Sequence, residues 1–144
     1  MAAIDRLRNE INKAIAADKG QYPWFTRSKL ENALKTLNQA EKKLEIATFK
    51  LSKKSGGPLA EAFPWGKKIT VHEPFWDSIR HGTVKDRAAT LVHEAIHLGT
   101  GTTDGFHTYF WTEAPHDVLF IGWDSIASTY DTWIRRGFSV PGSK

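Results

Sequence analysis

The chain has 144 residues, 40% hydrophobic and 25% charged, which are ordinary values for one globular domain and not those of a disordered chain. Lysine plus arginine number 20 against 16 acids, a net charge of +4 with no run of five like charges, so nucleic acid is not an expected partner. Cysteine is absent, which excludes disulfides, thiolate zinc fingers, iron–sulfur clusters and a cysteine nucleophile.

In chain order, Ile4, Leu7, Ile11 and Ile15 fall at spacings of three and four and predict an amphipathic helix over residues 3–17. This opening stretch is charged throughout and lacks the apolar centre of a signal peptide, and no later segment is apolar enough to enter a bilayer. The localisation expected is therefore the cytoplasm, export by a route that reads no such signal, or that of a piece whose leader was removed.

Ser28 and Glu31 form a capping box that predicts a second, longer helix, with its apolar stripe on Leu30, Ala33, Leu34, Leu37, Leu44 and Leu51. The heptad spacing of Leu30, Leu37, Leu44 and Leu51 also fits a coiled-coil seam, although packing on the rest of the domain is the plainer reading. Residues 52–66 hold three Gly and two Pro and read as a connection inside one domain, because the helices before them make too small a core. The 1–144 chain is thus expected to be a single domain, with a helical part at 1–55 and a second part at 67–136.

Residues 68–72 read as a short strand. Thr83 caps a third helix, with Asp86 at its third position and Gly99 just past its end, giving residues 84–98. Trp123, Ile126, Ala127, Tyr130 and Ile134 place a fourth helix at about 123–136. Trp111, Trp123 and Trp133 read as core. The fold class expected is α+β, mostly helical, with a small sheet beside the third helix.

That third helix carries His93-Glu94-Ala95-Ile96-His97. Side chains four apart share one face of a helix, so both imidazoles reach one ion, and neutral imidazole suits zinc. Glu94 is turned away from the ligand pair yet next to the solvent on the metal, where a general base is needed. The pattern arises by chance in roughly one chain of this composition in 75. Its flanks (Ala88, Ala89, Leu91, Val92, Ile96, Leu98) are apolar, so two histidines and an acid sit on a buried element, and a metal accounts for them.

The third ligand sets the type of site. A metzincin places Gly at position 100 and His at 103, where this chain has Thr100 and Thr103. Glu113 is the only Glu after the motif and is an awkward candidate, lying 16 residues beyond His97 and close to Pro115. Asp104 is the better choice, because Gly99, Gly101 and Gly105 let the chain turn back and present its carboxylate to the metal. His72 and His81 read as surface or core-edge residues, and His116 as a weaker candidate ligand.

HEAIH followed by GTTD resembles the aspzincin zinc peptidases, which include deuterolysin and the peptidyl-Lys metalloendopeptidases; their signature is HExxH with GTxDxxYG. ITVHEPFW before the helix and DSIASTYDTWI after it are similar to the family's flanks, and the resemblance covers about residues 67–136. It implies a zincin-like domain binding one Zn2+ through His93, His97 and Asp104, with protein or peptide substrates. The family's Tyr that assists the oxyanion falls on His107, and the following Gly on Thr108; the electrophile expected is thus His107, or Tyr109 after a local shift.

The mechanism implied is hydrolysis of internal peptide bonds, with Glu94 as general base and a metal that lowers the pKa of water towards about 7. Lys-directed members use acids in the pocket after the scissile bond; Glu113 and Asp117 are the candidates here, against the plainer reading of loop acids. The altered Tyr position keeps a non-catalytic zinc-containing binding module as the alternative, beside a zinc hydrolase of a non-peptide substrate. A secreted effector or toxin, with a cognate inhibitor or immunity protein as partner, is compatible with the small size.

Overall fold

A computed structural model describes residues 2–17, 27–54, 59–62, 66–76, 83–100 and 127–140. The first helix, α1 (Ala2–Ala17), follows its apolar spacing: Ala3, Ile4, Leu7, Ile11 and Ala14 are buried on one stripe. It packs against α2 (Arg27–Ile46), which buries Leu30, Ala33, Leu37 and Ala40. Arg8 ties the two together, donating to Asn38 Oδ1 at 2.6 Å and Glu41 Oε1 at 3.1 Å and pairing with Asp5 on its own helix. Ser28 lies within the first turn of α2, not at its cap.

The second helix also ends sooner than its leucine spacing predicts. From Thr48 to Ser52 the chain is a strand, β1, and Leu51 is 71% exposed, so the heptad seam does not exist. The cause is local and tertiary at once. Thr48 and Phe49 favour a pleated strand over a helix, and β3 (Lys68–His72) offers a ladder alongside. The pairing is parallel, from Thr48 opposite Lys68 to Ser52 opposite His72, and Thr48 N donates to Lys67 O at 2.8 Å.

The stretch read as a connection supplies the third strand. β2 (Ala60–Ala62) runs antiparallel to β3, with Ala60 opposite Val71, and the sheet order is β1-β3-β2. The strand expected at 68–72 is therefore the central one. It turns Ile69 and Val71 inward, and a 3-10 turn, Glu73–Trp76, adds Phe75 to the same layer.

The third helix, α3 (Val84–Thr100), starts as the capping box predicts: Asp86 N donates to Thr83 Oγ1 at 3.0 Å, and that hydroxyl donates to Asp86 Oδ2 at 2.6 Å. Gly99 is not the stop signal. It lies inside the helix, where a Cβ would meet Gln39 C at 2.9 Å and Ala40 N at 3.0 Å, so the missing side chain lets the backbones of α2 and α3 approach. The last described helix, α4 (Ala127–Arg135), buries Tyr130, Trp133 and Ile134 and ends at Gly137, whose φ of 79° suits a helix terminus. Trp111, Trp123 and Ile126 lie outside the described residues.

These elements make an α+β architecture with α3 at its centre. On one side Ala89, Val92, Ala95 and Ile96 pack with the buried stripes of α1, α2 and α4. On another, Leu98 packs with Ala60, Ile69, Val71 and Phe75 of the sheet layer. A helix covered on two sides is apolar around most of its circumference, which is why the flanks of the histidine motif carry so few charges. Among the described residues no helix is long and apolar enough to cross a membrane.

Candidate metal centre

His93 and His97 stand one helical turn apart on α3, the covered helix. They are 9% and 4% exposed, and Glu94 is 7% exposed. Their rings meet edge to face, 4.7 Å between centroids and 82° between planes, so that the two Nε2 atoms lie 3.0 Å apart. The nitrogens therefore converge on one point. A tetrahedral zinc ion with nitrogens at about 2.05 Å holds them about 3.3 Å apart, so the pair fits such an ion after opening by a few tenths of an ångström.

The opposite edge of the His93 ring faces α4. Its Nδ1 lies 3.4 Å from Asp131 Oδ2, both side chains being mostly buried. Arg135, one turn further along α4, brings Nε to 3.8 Å from the same carboxylate oxygen. The other end of its guanidinium reaches α3, with Nη2 donating to Thr90 Oγ1 at 2.9 Å and Nη1 at 3.5 Å from Asp86 Oδ1. Thr90 Oγ1 in turn donates to the Asp86 carbonyl at 3.1 Å. One chain of polar contacts thus runs from the capped start of α3 through α4 to the first histidine.

Sequence patterning did not single out Asp131 or Arg135. Their separation of four on a helix is a signal for a pair with each other. Nothing local, however, shows that the pair lands against His93.

His72, read as a surface or core-edge residue, is 3% exposed at the end of β3, with Nε2 2.9 Å from Glu61 Oε2 on β2. Among the described residues no three His, Cys, Asp or Glu side chains come together as a complete metal-binding group. The candidates Asp104, His107, Tyr109, Glu113, His116 and Asp117, like His81, lie outside the described residues.

No protein-family profile matches the chain. No curated protein sequence matches it either. Its fold does have a counterpart. A zinc peptidase from Grifola frondosa superposes with a TM-score of 0.65 over 96% of this chain and 93% of its own, at 16% sequence identity. At that identity the likeness is one of fold: the mostly helical α+β domain expected from the sequence is an architecture that a zinc peptidase also uses.

Proposed function

We propose that this protein is a zinc-dependent endopeptidase of the aspzincin type, acting on protein or peptide chains as a single domain. The observation that carries the proposal is the convergence of His93 and His97 Nε2, 3.0 Å apart, on a covered helix whose residue after the first histidine is Glu94. The fold shared with a zinc peptidase supports it. His93 and His97 would hold one zinc ion per chain, with Asp104 as the third ligand from the glycine-rich segment that follows α3. Zinc, when bound, supplies a Lewis acid for the scissile carbonyl and lowers the pKa of water.

The remaining steps belong to this chain's own residues. Glu94 accepts the proton of the attacking water and delivers it to the leaving amine, as a general base that then serves as general acid. His107 or Tyr109 donates to the oxyanion, a role whose loss costs about 3 kcal/mol of transition-state stabilisation. Glu113 and Asp117 are proposed to line the pocket after the scissile bond and to favour Lys there.

The test is a digest of an unfolded protein by the zinc-loaded chain, with Glu94→Ala as control and every product end read by mass spectrometry. Cleavage by the wild type alone supports an endopeptidase, and products beginning with Lys support the acidic pocket. Stoichiometric zinc without cleavage overturns general proteolysis, and leaves a zinc-containing binding module or a hydrolase of another bond.

A further inference from the structure

We infer that Asp131 is the positioning residue that fixes how His93 presents Nε2 to a metal, and that Arg135 holds Asp131 in place for it. The inference rests on the zinc reading above and concerns two residues that never touch the ion. It starts from the chemistry of imidazole. A ring nitrogen that binds a metal must carry a lone pair, so the neutral ligand bears its proton on the other nitrogen, and a buried N–H needs an acceptor.

His93 Nδ1 is turned away from His97 and towards α4, and the group it meets there is a carboxylate, Asp131 Oδ2 at 3.4 Å. That distance is longer than a formed hydrogen bond, so the inference requires the contact to shorten by about 0.5 Å when Nε2 ligates. The acceptor then selects the Nδ1–H tautomer and leaves Nε2 free to ligate.

Asp131 is itself held from both sides. Its Oδ1 is 3.5 Å from the Thr132 hydroxyl, and its Oδ2 is shared between His93 and Arg135 Nε at 3.8 Å. Its side chain is 16% exposed, where a carboxylate without a cation nearby is costly, and Arg135 offsets that cost. Arg135 cannot drift, because Thr90 and Asp86 on α3 hold the far end of its guanidinium. Along α4 the order is Asp131 then Arg135; along α3 the partners run from His93 back to Thr90 and Asp86. The two helices therefore cross in opposite directions with polar contacts at successive turns, and the ring of His93 is aimed by that crossing.

A purely structural salt-bridge network is the competing account, and metal affinity separates the two. Zinc affinity is measured by competition with a chromophoric chelator for the wild type, Asp131→Ala, Asp131→Asn, Arg135→Ala and the Asp131→Ala/Arg135→Ala double variant. Far-UV circular dichroism serves as the check on folding, and Co2+ absorption spectra as the check on coordination geometry. The expected result is a loss of about 10–100-fold in affinity for Asp131→Ala, with helicity kept and the Co2+ bands changed.

Asp131→Asn, whose amide oxygen still accepts a hydrogen bond, should recover part of the loss. Arg135→Ala should weaken binding in the wild-type background and add nothing once Asp131 is gone, because it acts through that carboxylate. Wild-type affinity in a folded Asp131→Ala chain overturns the inference and leaves the zinc reading standing. If the alanine chain does not fold, unchanged affinity and Co2+ bands in Asp131→Asn and Arg135→Ala overturn it equally. A wild type that binds no zinc overturns the zinc reading itself, and this inference with it.

Discussion

At the scale of single residues, Glu94 offers a way to test the proposed proton transfer separately from metal holding. It is 7% exposed beside two histidines, so its volume and polar contacts matter to the fold as well as to chemistry. Glu94→Gln keeps both and removes only the ability to take a proton. The expected outcome is a chain with wild-type helicity and zinc affinity whose peptide hydrolysis falls by about 10²–10⁴-fold, read by initial rates on one unfolded substrate. Equal hydrolysis by the two chains would remove Glu94 from the mechanism. The His93–Glu94–His97 pattern was legible in the sequence because helix geometry is local: a spacing of four fixes a shared face whatever surrounds it. Asp131 was not legible, since the acid that faces His93 is chosen by how α4 lies across α3, a tertiary fact with no local signature.

At the scale of elements, the sequence signals that failed were those with two physical meanings. Gly99 has the form of a helix stop, yet the helix passes through it because the α2 backbone occupies the space of its missing Cβ. Gly99→Ala should therefore destabilise the fold. Alanine gains about 1 kcal/mol in helix propensity, but forcing a methyl into a contact of 2.9–3.0 Å against backbone atoms costs more, because backbone cannot rotate away as a side chain can. A net loss of about 1–2 kcal/mol in urea unfolding is expected; a gain in stability would show that α2 and α3 part freely there.

The leucine heptad failed in the same way. Leu37 is fully buried between helices, whereas Leu51 stands 71% exposed on β1. Leu37→Ala should cost about 2–5 kcal/mol and Leu51→Ala no more than about 0.5 kcal/mol. The strands β1 and β2 were hidden because each is short and lies under a stronger signal, the leucine heptad over Leu51 and the Gly- and Pro-containing stretch around Ala60–Ala62; they exist because β3, whose Ile69 and Val71 face α3, gives both a ladder.

At the scale of the molecule, the candidate centre lies on α3, which among the described helices contributes fully buried residues to both hydrophobic clusters. Val92, Ala95 and Ile96 belong to the helical cluster and Leu98 to the sheet cluster, and the two histidines and Glu94 are interleaved among them. Neither cluster can come apart without removing support from α3, so metal binding should be linked to unfolding of the whole and not of a part. A ligand that binds only the folded state adds RT ln(1 + [L]/Kd), about 4 kcal/mol when free zinc exceeds its Kd a thousandfold. Stripping zinc with a chelator should lower stability by that amount. The loss should be the same whether unfolding is followed by far-UV circular dichroism or by tryptophan fluorescence, and it should vanish in His97→Ala, which lacks one of the two converging nitrogens. A zinc-dependent shift seen by one probe and not the other would mean that the clusters unfold separately, and that α3 does not couple them.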